Sequence, residues 1–302
     1  MLSEPLKRRQ RLAIAIPASV VSDVPHLREK TLKVGFIGRA LAIFRVDEVI
    51  IYPDILGVDQ SRDQKFLSTV LSYMETPQYL RKRLFDIMPE LRYAGILPPL
   101  RTPHHPTRNK KKDLKDGEFR DGIVVEKNKR GILVDIGVEE PIFIPNLHIQ
   151  KGARVTVKIV SDGNNLRAMP IDVNEIPVYW GYKVVVSRDP IGRTIKNCLF
   201  DLVIATSRYG EPFMKIKDEL LERWRRSKRV LIAFGSPTQG LYEIARQEGF
   251  DLREISDFIV NVIPRQAAET VRTEEAIYAT LAILNLLTES LSTNNYTTGY
   301  SF

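Results

Sequence analysis

The chain has 302 residues, 43% of them hydrophobic, which is enough to bury a sizeable core and to divide into more than one structural unit. Its formal charge of +8 and pI near 9.4 point to a polyanionic partner. Cys198 is the single cysteine, so intramolecular disulfides and a cysteine-based zinc cluster are excluded; with no apolar run of about 18 residues and no signal-peptide core, the chain is expected to be cytoplasmic, with no membrane partner.

Taken in chain order, residues 11–16 and 46–52 read as strands rich in β-branched residues, with a helix from 27 to 45 between them. This βαβ unit predicts a parallel sheet with flanking helices. Helical character returns at 62–92, interrupted by Pro77 and Pro89. Pro98, Pro99, Pro103 and Pro106 then mark a linker, which the basic run Arg108, Lys110, Lys111 and Lys112 follows. His104 and His105 lack a companion at zinc spacing; they read as exposed linker residues, and no metal site is expected.

From 119 to 171 the pattern is of short strands. Ile132, Val134, Ile136 and Val138 alternate with other residues, as do Val155, Val157 and Ile159, and Gly122, Gly131, Gly137, Gly152 and Gly163 punctuate the runs. Strands without helices predict a small β-barrel of OB type. Phe119 and Phe143 could stack on bases, but core packing is the reading preferred for both. Beyond Trp180 the α/β pattern resumes, with strands expected at 183–187, 201–206, 229–234 and 257–262 and helices at 215–226, 237–248 and 273–290. Four segments result: an α/β part at 1–95, an inserted barrel at 96–178, a second α/β part at 179–291 and a frayed tail at 292–302.

Two stretches near the carboxyl end carry the chemistry. Val230 to Gly235 is a buried strand ending in glycine, after which Ser236 stands at a helix N-cap position, Pro237 at the first helical position, and Gly249 beyond the last turn. An ordinary strand-to-helix crossover explains these caps equally well. The spacing of Gly235 and Gly240 is that of a phosphate loop, but Leu241 and Tyr242 occupy the places of its Lys and Ser or Thr. The second stretch, Phe258 to Ala276, reads as strand, polar loop and helix, the order a nucleotide-sized ligand needs at the carboxyl edge of a parallel sheet.

Together these stretches resemble the cofactor-binding half of SPOUT-class RNA methyltransferases, and the archaeal and eukaryotic branch with an OB-type insertion in particular, over nearly the whole chain. The resemblance implies a trefoil-knotted α/β sheet, a homodimer formed near the knot, and S-adenosylmethionine held by three loops. These map onto Thr206, Ser207, Arg208, Tyr209 and Gly210; onto Phe234 to Leu241, with Phe234, Gly235, Ser236, Gly240 and Leu241 as contacts; and onto Asn261 to Thr270, with Asn261, Val262, Ile263, Pro264, Gln266 and Thr270. Gly235 and Gly240 would let the backbone approach the cofactor closely.

Arg39, in the amino-terminal helix, matches an arginine that in related proteins faces the transfer site, often from the neighbouring subunit; Arg45 is the weaker match. Arg108, Lys110, Lys111 and Lys112 would track an RNA backbone. The activity expected is methyl transfer to a base of ribosomal RNA, with uridine N3 as acceptor, although no general base for its imide proton is evident. A noncatalytic RNA-binding or ribosome-assembly factor is the alternative. The last helix is apolar on more than one side, as a core helix or one shared with a dimer partner would be.

Overall fold

A computed structural model describes residues 5–162 and 165–293. In chain order the elements are β1 (Arg11–Pro17), α1 (Leu27–Ile43), β2 (Glu48–Tyr52), α2 (Ser61–Glu75), α3 (Gln78–Leu84), β3 (Phe119–Asn128), β4 (Gly131–Asp135), β5 (Ile142–Pro145), β6 (Arg154–Asp162) and β7 (Asn165–Pro170), followed by β8 (Lys183–Val186), α4 (Ile191–Asn197), β9 (Leu202–Pro212), α5 (Phe213–Arg226), β10 (Arg229–Ala233), α6 (Leu241–Gln247), α7 (Leu252–Ile255), β11 (Phe258–Asn261) and α8 (Thr273–Thr293). Two compact units are formed. One comprises residues 5–7, Tyr73–Arg92 and Pro99–Gly181; the other comprises Arg8–Ser72, Tyr93–Pro98 and the chain from Tyr182.

The α/β unit is built on a six-stranded sheet in the order β11-β9-β10-β1-β2-β8, parallel throughout. Its strands are continuous apolar runs because helices cover both faces. Leu12 to Ile16 are all buried. On one face Ala13, Ala15, Ile50, Leu231 and Ala233 pack with Ile191 and Ile195 of α4, Leu241 and Ile244 of α6 and Leu252 and Ile255 of α7. Each leucine or isoleucine so buried contributes roughly 1.5–3 kcal/mol. α1 and α8 pack on each other. Small residues in the strands leave room for the larger helix side chains above them.

The differences from expectation are local. α4 and α7 fall where no element was expected, since seven and four residues are too few to show a helical period. The 62–92 stretch yields α2 and α3, with only a single 3₁₀ turn at Pro89–Leu91. α8 continues through 292 and 293, where a tail was expected; 294–302, like Gly163, lies outside the described residues.

The second unit is a five-stranded antiparallel sheet in the order β5-β4-β3-β6-β7. Its edge strands β5 and β7 come close enough that the sheet is nearly a closed barrel. The alternating residues point inward as expected: Ile132, Val134, Ile136, Val155, Val157 and Ile159 form one core with Val124, Ile142 and Ile144. Phe119 packs edge-on against Trp180, whereas Phe143 is 43% exposed, because β5 alternates buried and exposed positions and Phe143 takes an outward one.

An ionic network lies inside this unit. Arg154 donates to both carboxylate oxygens of Glu75, at 2.6 and 3.0 Å, and to Asp121 at 2.5 Å. Asp121 also accepts from Thr156 Oγ1 at 2.7 Å and from Trp180 Nε1 at 3.0 Å. Burial alone would push Asp121 up, but Arg154 and these donors hold it below its ordinary value. Burial raises Glu75 despite the same arginine.

His104 and His105 belong to the network and are not exposed: His104 is fully buried. Their rings stand 4.3 Å apart, and each directs Nε2 at the Glu75 carbonyl oxygen, at 2.9 and 2.7 Å. Burial lowers His104 to about 4, and burial together with its neighbour lowers His105 to about 3, so both are neutral and donate. The unfolded chain takes up protons as pH falls through about 6.5, while the folded chain does not until about 4. The histidines therefore stabilise the unit above 6.5 and lose that contribution as pH falls towards 4. Glu75, raised, acts in the opposite sense. The urea midpoint followed by Trp180 fluorescence is expected to fall between pH 7 and pH 5, and to fall less in His104→Gln/His105→Gln. Equal drops in both proteins would clear the histidines of this role.

Candidate active site

The carboxyl ends of β9, β10 and β11 open into a cleft of about 260 Å³. That is near the lower bound for small-molecule sites, at the sheet edge where open α/β folds place them. Three loops form its walls. Each is fixed by the backbone as much as by side chains.

The first loop follows β9. β9 pairs with β11 through Ile204 and Ala205, then again only from Glu211, so Thr206 to Gly210 are an excursion from the ladder. Thr206, Ser207, Arg208 and Tyr209 face the cleft. Gly210 does not: a Cβ there would sit 2.6 Å from the Ile259 carbonyl oxygen, so its absence lets the strand close on β11.

The second loop follows β10. Its carbonyl groups are each capped from another element: Ala233 by Thr206 Oγ1 at 2.9 Å, Phe234 by Tyr52 Oη at 2.6 Å and Gly235 by Thr273 Oγ1 at 3.1 Å. Burial pushes the Tyr52 phenol well above its ordinary value, so it stays a donor. Ser236 caps a turn and not a helix: its N–H donates to the Gln239 carbonyl at 2.9 Å and its Oγ accepts from Gln239 N–H at 3.0 Å. α6 begins at Leu241 with Gly240 as N-cap, and Glu243 accepts from Gly240 N–H at 3.1 Å. The turn uses the residues that a helix starting at Pro237 would have required. Gly249, at φ +82°, ends the helix as expected.

Both glycines of this loop line the cleft, but in different ways. A Cβ on Gly235 would lie 3.0 Å from Gln239 O and 3.2 Å from Leu241 N, so this glycine closes the turn itself. A Cβ on Gly240 would meet nothing within 4 Å. Phe234 and Ser236 also face the cleft, whereas Leu241 turns away into the core below.

The third loop runs from β11 to α8. Asn261 Oδ1 accepts from Ile263 N–H at 2.9 Å and its Nδ2 donates to the Arg208 carbonyl at 2.8 Å, joining this loop to the first. Asn261, Val262, Ile263, Gln266 and Thr270 line the cleft, and Pro264 does not. The loops expected from sequence include Tyr209, Gln239 and Glu269 but not Tyr242, Glu243 or the α8 residues Thr273, Ala276 and Thr280, which also line the cleft. Those on α8 had a detectable signal: Thr273, Ala276 and Thr280 recur at helical spacing from the end of the third loop. Two buried atoms of lining residues, Gln239 Oε1 and Thr280 Oγ1, have no hydrogen-bond partner. Buried polar atoms left unmatched in this way mark a place for a polar ligand.

The remaining candidates lie elsewhere. Arg39 is half-buried on α1, near enough to Tyr278 of α8 to act on its phenol electrostatically, and no residue of α1 lines the cleft. Arg45 adopts a left-handed conformation just past α1 and pairs with Glu289 and Asn285 of α8, a structural task. Lys110, Lys111 and Lys112 are exposed at the edge of the barrel unit, with Glu139 beside them accepting from Lys111 N–H at 2.7 Å. Arg108 pairs with Glu118 at 3.2 Å.

Among the described residues no helix is long and apolar enough to cross a membrane. Residues 11–284 match the family described as "Putative RNA methyltransferase". An uncharacterized protein of Haloarcula marismortui is 35% identical, over 91% of this chain and 98% of its own length. The 28S rRNA (uridine-N(3))-methyltransferase of Homo sapiens is 32% identical over 92% of this chain and 78% of its own, and that of Drosophila melanogaster 30% identical over 90% and 61%. With the match running through both sheets and all three loops of the cleft, the chain belongs to this family of RNA methyltransferases.

Proposed function

We infer that this protein transfers a methyl group from S-adenosylmethionine to N3 of a uridine in ribosomal RNA, in the cytoplasm. The observation that carries the reading is the gathering of the three loops into one cleft with unmatched polar atoms, in a chain whose relatives include the two uridine-N3 enzymes. S-adenosylmethionine supplies an electrophilic methyl on a sulfonium, together with amino, carboxylate, hydroxyl and adenine groups of the kinds that Gln239 Oε1 and Thr280 Oγ1 lack. The chain's own residues bind and orient. Fixed carbonyl and N–H groups present a rigid polar wall, and Phe234, Val262 and Ile263 give an apolar one.

The α/β unit is a SPOUT-type knot, and the barrel unit, which takes in Tyr73–Arg92 as well as the inserted strands, is an OB-fold that takes RNA along Arg108, Lys110, Lys111 and Lys112. Two copies pair near the knot. Leu32, Phe36 and Ile43 are exposed on α1 at spacings of one helix face, and Leu286 is exposed on α8. Arg39 lies on that same face of α1, so pairing there would carry it towards the partner's cleft.

Gly240 offers the direct test of the cofactor site. Its φ of −75° suits any residue and its Cβ direction is open, so Gly240→Val should fold, at a cost of about 1 kcal/mol for a valine at the N-cap. Its affinity for S-adenosylmethionine by calorimetry is expected to fall about tenfold or more, because the added side chain occupies a wall of the cleft. Wild-type affinity in the folded variant would remove this loop from the cofactor site.

A further inference from the structure

On the wall of the cleft, in its first loop, stands an aromatic ring open to solvent. Tyr209 is 71% exposed. Yet it is not loose: its N–H donates to Ser207 Oγ at 3.1 Å, and the preceding carbonyl is held by Asn261. The Arg208 guanidinium lies over the ring, 4.8 Å from the centroid. That guanidinium is tethered in turn, donating from Nη1 to the Glu269 carbonyl at 3.0 Å, which also accepts from Gln266 Nε2 at 3.2 Å. The first and third loops are thus clasped at this ring.

The arrangement selects for a flat ligand carried on a polyanion. With its backbone held and a cation over the ring, the residue still keeps 71% of its surface exposed, which lowers the ordering cost of presenting the ring to a flat ligand. A tyrosine supplies a broad π-face at low entropic cost. The guanidinium polarises that face and draws in phosphate. We propose that Tyr209, backed by Arg208, is a stacking platform for the acceptor base of the RNA substrate, holding the base by its face while its edge points into the cleft. The proposal rests on the RNA methyltransferase reading of the cleft. Stacking accepts any base, so it positions the nucleotide and leaves its identity to groups deeper in the cleft.

The test uses the full-length chain, unmodified large-subunit rRNA transcript and labelled S-adenosylmethionine under single-turnover conditions, with cofactor affinity measured separately by calorimetry. Tyr209→Ala is expected to raise the half-saturating RNA concentration about tenfold, the worth of one base stack, with cofactor affinity within about twofold of wild type. Tyr209→Phe should restore most of the loss and Tyr209→Leu little. Three results each overturn the proposal: an unchanged RNA requirement in Tyr209→Ala, a parallel loss of cofactor affinity, or failure of phenylalanine to rescue. Should the wild type bind cofactor yet leave the rRNA unmethylated, the methyltransferase reading fails, and quenching of a short 2-aminopurine-containing single-stranded RNA decides the platform. Quenching by wild type and Tyr209→Phe but not by Tyr209→Ala supports it; equal quenching by all three overturns it.

Discussion

Replacing Arg154 with methionine is expected to cost the barrel unit about 3 kcal/mol, the low end of the range for breaking a buried ion pair. The low end applies because the Arg154 side chain is 30% exposed, and solvent screens part of the interaction. The carboxylates decide the effect. Asp121 is only 1% exposed, and it and Glu75 would share a buried site without a cation. Asp121→Asn added to Arg154→Met should recover part of the loss, since one of the two stranded charges is gone. Trp180 and Trp224 are the only tryptophans, and they lie in different units, so a Trp224→Phe background makes fluorescence report on the barrel unit alone. A urea midpoint unchanged by Arg154→Met would show that the network is incidental to stability.

The second large effect concerns transfer. Arg39→Ala is expected to slow single-turnover methylation at saturating cofactor about tenfold or more, the worth of one charge-assisted contact of about 1.5–3 kcal/mol. Cofactor affinity should not follow, because no residue of α1 lines the cleft. Lysine should recover only part of the rate, since it keeps the charge but not the planar fork. If Arg39 acts across a dimer, chains carrying Arg39→Ala mixed with chains carrying Gly240→Val should regain activity through hybrid dimers. A full rate in Arg39→Ala would remove this residue from the mechanism.

What was legible in the sequence was what depends on period and punctuation. β1, β10 and the barrel strands announced themselves through apolar runs or strict alternation, and the resemblance brought the three loops into view before any geometry. What was hidden depended on partners distant in sequence. His104 reads as an exposed linker residue and nothing marks Glu75, Asp121 or Arg154, because no local pattern shows that the four converge on one buried site. Ser236 and Pro237 promised a helix start, but the Ser236–Gln239 turn took those donors first. Tyr52, Thr206 and Thr273 cap successive carbonyls of one loop from three separate elements, a pattern visible only once the sheet is assembled. Tyr209 was placed in the right loop, but no sequence period distinguishes an exposed ring from a buried one.

In the proposed function this cleft serves methylation of ribosomal RNA. Mass-spectrometric mapping of modified nucleosides in rRNA from cells with and without the protein tests it most directly. One N3-methyluridine is predicted to be missing from rRNA of the deletion strain, and to reappear when that rRNA is incubated with purified protein and S-adenosylmethionine. Identical modification maps in the two strains, with no methyl transfer to the deletion strain's rRNA in vitro, would contradict it.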